Sequence, residues 1–236
     1  MEVIMDLAFT KRKSTDSARE YVYKTLKRSI VEVNLKPGEK LNEKVVAEKF
    51  ELSRTPVREA FIKLAQEGLL EIYPQRGTQV SLIDLNRVEE ARFMRQTLEK
   101  AVIKLACQNF PPKLLFELQS NLHAQEFCAK EKHYLRLFNL DEEFHCIIFE
   151  SCNKERLWSL ISQISIDFNR TRVLKLLSNF NLENVILQHH KLVKAIIDKK
   201  PMDGEEVIEN HLNKVDIDLN KLKLSYPLFF KNSDAI

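Results

Sequence analysis

Apolar residues in the first third of the chain recur every three or four positions, which predicts three amphipathic helices. The first covers residues 14–33 and ends before a Pro-Gly turn. Asn42 is placed to cap the second helix and Ser53 to cap the third, which we expect Gly68 to end. Alternation then replaces the helical period over residues 70–82 and predicts a two-stranded hairpin. This order of elements is that of a winged helix-turn-helix.

The third predicted helix begins with two cations. Arg54 and Arg58 are one turn apart at its amino end, where the helix dipole disfavours positive charge. In a winged helix-turn-helix this end points at the DNA major groove, where arginine binds guanine O6 and N7 with two hydrogen bonds. The hydroxyls of Ser53 and Thr55 suit phosphate oxygens. A solvated basic edge would explain the spacing alone, but it leaves the order of elements unexplained.

The charge distribution agrees with a DNA-binding front segment. Residues 1–83 contain 15 basic and 12 acidic side chains, whereas residues 84–236 contain 22 of each. The whole excess of positive charge therefore lies in the first third, as expected for a segment that meets phosphates. Arg76 and Gly77 at the hairpin tip would suit the adjacent minor groove or the backbone.

The rest of the chain is predicted to form an antiparallel helical bundle, because long amphipathic segments are joined by short links. About six helices are expected, at residues 84–109, 113–131, 133–151, 154–179, 182–199 and 203–224. The predicted fold is thus mostly α. Its parts are an N-terminal tail (1–13), a winged helix-turn-helix domain (14–83), an all-helical domain (84–225) and a C-terminal tail (226–236).

Four polar side chains fall on the apolar faces of three of these helices. Asp141 and His145 follow the buried stripe of one helix, and His189 and His211 lie on the inner faces of two others. A carboxylate directed into a core is costly unless it is paired or bound to a metal. Three imidazoles and one carboxylate suit zinc, and also nickel, manganese or iron. A buried hydrogen-bonded pair would explain Asp141 and His145 without a metal, and His190 competes with His189 for the inward position.

Several classes of protein do not fit the sequence. No apolar run approaches the roughly 20 residues that a membrane span needs. The first thirteen residues lack the basic region and uninterrupted apolar stretch of a signal peptide. Four cysteines without CxxC spacing are typical of reduced thiols, so we expect a cytoplasmic protein.

The segment from Pro37 to Val80, PGEKLNEKVVAEKFELSRTPVREAFIKLAQEGLLEIYPQRGTQV, resembles the DNA-binding domain of GntR-type bacterial transcription regulators. The run SRTPVREA is very specific to that family. The sequence departs from the family at Val46, where leucine is usual, and at Glu51, where glycine is usual. The resemblance implies DNA contacts by seven residues, which are Lys44, Ser53, Arg54, Thr55, Arg58, Arg76 and Gly77.

The segments FMRQTLEKAVIKLAC, LDEEFHCIIFESCN and QHHKLVKAII resemble the FCD domain, the helical effector-binding half of the FadR branch of these regulators. Many members hold a divalent metal with one Asp and three His, and the metal helps to bind a small carboxylate. The resemblance implies that the ligands here are Asp141, His145, His189 and His211. It selects His189 over His190, and it implies that Arg95 grips a carboxylate with its fork.

We therefore expect a sequence-specific transcription regulator, and not an enzyme. The resemblance implies a repressor, because repression relieved by an effector is the commoner arrangement in this group. A homodimer would bind a near-palindromic double-stranded DNA operator, and a small organic acid at the metal would modulate its affinity. No membrane partner is expected. Two alternatives remain open at this point. One is a hydrolase whose metal activates water, and the other is a DNA-binding protein whose metal is purely structural.

Overall fold

The computed structural model of the 236-residue chain describes residues 7–9, 12–178, 182–213 and 215–231. The predicted tails at 1–13 and 226–236 therefore lie partly outside the described residues. The chain divides into two compact units, one running to Leu85 and taking in the segment from Tyr226, the other spanning Asn86–Ser225. It is mostly α-helical with one small sheet in the first unit, which confirms the predicted fold class.

The first unit has the order of elements that the sequence predicts for a winged helix-turn-helix. Its helices and strands are α1 (Ala18–Val31), β1 (Lys40–Leu41), α2 (Glu43–Phe50), α3 (Arg54–Gln66), β2 (Leu70–Tyr73) and β3 (Gly77–Val80). Helix α1 packs against α3, and Leu26, Ile30, Phe61 and Leu64 between them are fully buried. Asn42 caps α2 as predicted, with its Oδ1 accepting a hydrogen bond from the Lys44 N–H at 2.8 Å.

Helix α1 is shorter than the predicted range of 14–33, and its local hydrogen bonds explain why. The Ser17 hydroxyl accepts from the Glu20 N–H at 3.2 Å, and the Ser17 N–H donates to the Glu20 carboxylate at 3.1 Å. This reciprocal pair satisfies the amides exposed at a helix start, so the helix begins directly after Ser17. At the other end Val33 has a φ of 60°, which is outside the helical region.

The sheet has three strands in the order β1-β3-β2, one more than the predicted hairpin. Strands β2 and β3 form that hairpin, in which Leu70 pairs with Val80 and Tyr73 with Gly77. Strand β1 adds Lys40 opposite Gln79 on the free edge of β3. Two residues are too few to show alternation, so the pattern could not predict β1.

The described part of the predicted C-terminal tail packs within the first unit. A short 3-10 helix, Pro227–Phe229, is followed by Phe230, which is buried and bridges to Ile83. The Ile83 N–H donates to the Phe229 carbonyl at 2.8 Å, and the Lys231 N–H donates to the Ile83 carbonyl at 2.9 Å. The segment 227–231 therefore packs beside Ile83, within the first unit.

The second unit is an all-helical bundle. Its helices are α4 (Leu85–Gln108, beginning at the unit boundary), α5 (Pro112–Lys130), α6 (Tyr134–Ser151), α7 (Glu155–Ile164), α8 (Ile166–Leu177), α9 (Leu182–Ile197), α10 (Pro201–Asn213) and α11 (Val215–Ser225). Helix α6 packs against α5, α7 and α8, while α9 packs against α5 and α10. Among the described helices, none is both long enough and apolar enough to cross a membrane.

Two predicted helices of this bundle differ from the observed ones. The predicted helix 154–179 is two helices, α7 and α8, which meet at Ser165. Neither proline nor glycine stands at this junction, so the sequence pattern gave no signal for it. The predicted helix 203–224 corresponds to α10 and α11, and residue 214 between them lies outside the described part of the chain.

Gly204 marks a close approach of α10 to α4. A Cβ added at this position would lie 2.9 Å from Cγ1 of Ile103, which is closer than carbon atoms normally come. Glycine is therefore favoured here, because the neighbouring helix leaves no room for a methyl group.

Candidate nucleic-acid interface and metal centre

The amino end of α3 presents polar side chains to solvent. Ser53, Arg54, Thr55 and Arg58 are all exposed, whereas Val57 of the same turns is fully buried. Ser53 occupies the N-cap position as predicted, but its hydroxyl makes no capping hydrogen bond within the described residues, so the predicted cap is confirmed in position only. The uncapped amides and the hydroxyl of this turn remain available to an anion.

The charge of this turn also favours an anion. The first turn of α3 contains no acidic residue, whereas those of α1 and α2 contain Glu20 and Glu43. Carboxylates at a helix start neutralise the positive end of the dipole. In α3 that end is left positive, and Arg54 and Arg58 add to it.

The remaining predicted DNA-binding residues lie on α2 and at the hairpin tip, and all are exposed. Lys44 Nζ is 3.8 Å from Glu48 Oε1, a loose surface ion pair that a phosphate can displace. The tip closes with the Arg76 N–H donating to the Tyr73 carbonyl at 3.0 Å. Gly77 follows with a φ of 100°, a conformation that favours glycine.

In the second unit, the four predicted metal ligands converge. Helix α6 provides Asp141 and His145, α9 provides His189 and α10 provides His211. One potential ligand atom from each residue lies within 4.8 Å of those of the other three. His190, the competitor of His189, is 47% exposed and pairs through Nε2 with Glu126 Oε1 at 2.5 Å, so it is outside the cluster.

Each imidazole of the cluster is oriented by an oxygen on its Nδ1 side. The distances are 2.9 Å from His145 Nδ1 to Glu99 Oε2, 2.7 Å from His189 Nδ1 to Gln125 Oε1, and 2.9 Å from His211 Nδ1 to Gln188 Oε1. The Gln125 amide nitrogen donates to Asn121 Oδ1 at 2.7 Å, which turns the Gln125 oxygen toward His189. An oxygen acceptor fixes the proton on Nδ1 and leaves the Nε2 lone pair for a metal.

The inner face of the cluster fits a divalent cation. Nε2 of His145 and Nε2 of His189 are buried and have no hydrogen-bond partner among the described residues. An unpaired buried polar atom costs roughly 1–3 kcal/mol, which coordination to a cation would offset. Asp141 Oδ1 lies 3.6 Å from His189 Nε2 and adds an anionic oxygen to the nitrogen donors. This donor set matches the ligands that zinc accepts.

The protonation states also suit metal ligands. Burial and repulsion from His145 lower the pKa of His211 to about 3. Burial likewise lowers the pKa of His189 well below its ordinary value. Burial alone would raise the pKa of Asp141, but Arg172 and the nearby imidazoles outweigh it and hold that pKa below its usual range. Near neutral pH both rings are therefore uncharged and the carboxylate is ionised, as metal binding requires.

Arg172 on α8 is a site residue that the sequence analysis missed. Its Nη2 donates to Asp141 Oδ2, and its Nη1 donates to Glu142 Oε1. The arginine thus holds one oxygen of Asp141, which orients the carboxylate and leaves Oδ1 toward His189. The position of Arg172 depends on the junction at Ser165, which the sequence pattern did not reveal.

Arg95, the predicted effector-binding residue, is almost wholly buried in the same network. Its Nε donates to Glu99 Oε1 at 2.6 Å, and its Nη1 donates to Glu142 Oε1 at 3.3 Å. Nη2 has no hydrogen-bond partner among the residues that the structure describes. The guanidinium carbon lies 5.3 Å from the centroid of the Trp158 ring. Arg95 therefore retains one buried donor that a ligand could use.

Replacing Arg95 with alanine should destabilise the protein by about 3–5 kcal/mol, because it leaves Glu99 buried without its cation. Arg95→Lys should cost less, since it keeps the charge. Urea unfolding followed by circular dichroism measures both. Lys100→Ala, which breaks a surface pair with Glu209, is the control and should cost about 1 kcal/mol or less. An Arg95→Ala variant as stable as that control would contradict a role for Arg95 in balancing Glu99.

Two segments of the sequence each match a known family. The family described as "Bacterial regulatory proteins, gntR family" matches residues 18–80, and the FCD domain matches residues 90–214. The HTH-type transcriptional repressor RspR of Escherichia coli (strain K12) is 30% identical over 215 residues, which cover 91% of this chain and 94% of RspR. The Nta operon transcriptional regulator of Aminobacter aminovorans is 27% identical over 184 residues, covering 78% of this chain and 86% of that protein.

Solved structures show the same fold. E. coli McbR/YncC has a TM-score of 0.76 at 24% identity, over 90% of this chain and 100% of that one. A putative transcriptional regulator GntR from Rhodococcus sp. RHA1 has a TM-score of 0.71 at 18% identity, over 87% of this chain and 99% of that one. The curated relatives are regulators and not enzymes. The chain therefore belongs to the gntR family of bacterial regulatory proteins, in the branch with an FCD domain, and is a DNA-binding transcription regulator.

Proposed function

We propose that this protein is a repressor whose operator affinity changes when a small carboxylate binds beside a divalent metal in the FCD domain. The observation that carries the proposal is the convergence of Asp141, His145, His189 and His211, with two buried Nε2 atoms lacking any described partner. FCD domains often bind metals, and the similar protein RspR is named a repressor. Both facts support the proposal.

In this proposal the four residues hold the ion, zinc first and nickel, manganese or iron as alternatives. When bound, the ion supplies a Lewis acid that can take a carboxylate oxygen. The chain itself provides the orientation, because Glu99, Gln125 and Gln188 fix the three imidazole rings. A preset ring orientation lowers the cost of forming the site.

Two arginines favour the ligand's carboxylate at this end of the bundle. Arg95 offers an unpartnered buried Nη2, and Arg172 reaches the Asp141 carboxylate. By contrast, a cleft of about 560 Å³ between α9 and α10 has balanced charges, with Lys191, Lys194, Lys200, Asp198, Asp203 and Glu206 in its lining. A carboxylate binds more strongly to two guanidinium groups than to a surface on which lysines and acidic residues are equal in number.

On the DNA side, we propose that α3 reads the major groove through Arg54 and Arg58 while Ser53 and Thr55 bind phosphates. Lys44 and the hairpin tip at Arg76 and Gly77 would contact the flanking backbone or minor groove. A homodimer in the cytoplasm would place two α3 helices on neighbouring half-sites. Exposed apolar side chains on one face of α5, Phe116 and Phe127, are available to a second copy.

The test is a titration of operator DNA with metal-loaded full-length protein, followed by fluorescence anisotropy. If the ligand and the operator are coupled by 1–3 kcal/mol, a carboxylate that binds the FCD domain should change the operator Kd by about 5- to 150-fold. EDTA should remove the shift, and the His190→Ala variant should keep it. If no carboxylate changes either the operator Kd or the melting temperature of metal-loaded protein, the metal is only structural and the proposal fails.

A further inference from the structure

Glu142, the residue after Asp141 on α6, lies between the two arginines of the site. Its Oε1 accepts from Nη1 of Arg172 and lies 3.3 Å from Nη1 of Arg95. Its Oε2 accepts from Nδ2 of Asn169 at 3.3 Å. Donors from α4 and α8 thus surround the Glu142 carboxylate of α6.

The surroundings of Glu142 differ from those of the other two carboxylates in this network. The side chains of Asp141 and Glu99 are 8% and 1% exposed, whereas the Glu142 side chain is 21% exposed. A half-buried glutamate can move toward solvent with less backbone and packing rearrangement than the two buried carboxylates, although it gives up its hydrogen bonds to the arginines. Arg95 cannot follow it, because its side chain is only 1% exposed and is held by Glu99.

The charge of the network changes sign when a metal binds. Two arginines oppose three carboxylates (Asp141, Glu142 and Glu99), so these five side chains together carry one negative charge. A divalent cation would turn this into one positive charge. One carboxylate from a ligand would then neutralise the site, and the pocket that can receive it is the one between Arg95 and Arg172.

We propose that Glu142 is an internal competitor that occupies the anion-binding position between Arg95 and Arg172 and that a carboxylate ligand must displace. The inference rests on the proposed function, because it assumes that a carboxylate binds at the metal-loaded site. Displacement lowers the apparent ligand affinity by the fraction of molecules in which the pocket is open. A ligand that also reaches the metal can overcome this competition, whereas an uncharged one cannot.

The experiment compares Glu142→Gln with wild type, both as full-length, metal-loaded protein, with acetate as the probe and sodium chloride at equal ionic strength. Trp158, the only tryptophan of the chain, lies 5.3 Å from the Arg95 guanidinium and 6.2 Å from the His145 ring, so its fluorescence reports binding. If Glu142 fills the pocket about 90% of the time, Glu142→Gln should lower the acetate Kd about tenfold.

Glu143→Gln is the matched control, because it removes the same charge from the next residue of α6, which is exposed and pairs only loosely with Arg136 at 3.4 Å. Its acetate Kd should stay within about twofold of wild type, as expected for a screened surface charge. An equal gain in both variants would show a bulk charge effect and overturn the inference.

Three further outcomes are decisive. Saturable acetate binding with the same or a higher Kd in Glu142→Gln overturns the competitor role and leaves the proposed function intact. If acetate binds neither protein, the carboxylate site does not exist and both proposals fail.

If Glu142→Gln does not fold by circular dichroism, Glu142→Asp replaces it, since the shorter side chain keeps the charge but withdraws it from the arginines. An intermediate gain in affinity supports the inference, and an unchanged Kd overturns it.

Discussion

Purified protein loaded with zinc should contain about one ion per chain, and replacing His189 and His211 together with alanine should remove it. Structural zinc sites in small domains contribute on the order of 10 kcal/mol of binding free energy, and the double variant loses two of the four proposed ligands. It also releases Gln125 and Gln188 from the rings that they orient. Elemental analysis by mass spectrometry after dialysis measures the metal content.

The control for this experiment is His190→Ala. His190 is adjacent to His189 but exposed and paired with Glu126, so its loss should leave the metal content unchanged. Equal loss of metal in His190→Ala, or full retention in the double variant, would refute the site. Circular dichroism of each variant shows whether the bundle remains folded.

Replacing both Arg54 and Arg58 with alanine should reduce operator binding to the level of unrelated DNA. Each bidentate arginine–guanine contact is worth roughly 1–3 kcal/mol, so the pair accounts for a loss of about 2–6 kcal/mol. Both side chains are exposed, and the buried residue of this turn is Val57, which the variant keeps. The fold should therefore be unaffected. Anisotropy with an operator selected from random DNA, and with a scrambled duplex, measures the specificity ratio.

Arg19→Ala is the matched control, because it removes one exposed cation from α1 and leaves α3 unchanged. It should weaken binding to both duplexes slightly and keep their ratio. If the double variant still prefers the operator as strongly as wild type, α3 is not the element that reads the sequence. A salt titration separates the two roles, since loss of one phosphate contact lowers the salt slope by about one.

The residues predicted from the sequence were those whose signal is local. The arginines of α3 are exceptional within one helical turn, and the cap at Asn42 and the end of the hairpin follow from neighbours in the chain. Asp141, His145, His189 and His211 each break the apolar pattern of their own helix, so each could be noticed separately. That they form a metal site remains a prediction, which their distances in the structure now support.

The residues that were missed act across helices. Arg172 reaches Asp141 and Glu142 from α8. This helix begins at Ile166, where the sequence has neither proline nor glycine to mark a break. In the sequence, Gln125 does not differ from the other polar residues of α5. Helix packing places its side-chain oxygen 2.7 Å from His189 Nδ1. Such contacts depend on helix crossing and rotation, which a single sequence does not encode in any short-range pattern.

By itself, the sequence determined the family, the winged helix-turn-helix order, the helical second half and the four inward polar residues, because periodicity and motif are properties of neighbouring positions. Only the tertiary structure decided which ring nitrogens face inward, that Arg95 is balanced by Glu99, and that Glu142 lies between two arginines. Arg172 and Glu142 lie on different helices, and the pair of Arg95 and Glu99 within α4 is buried because neighbouring helices cover it, so these contacts are settled by how the helices pack.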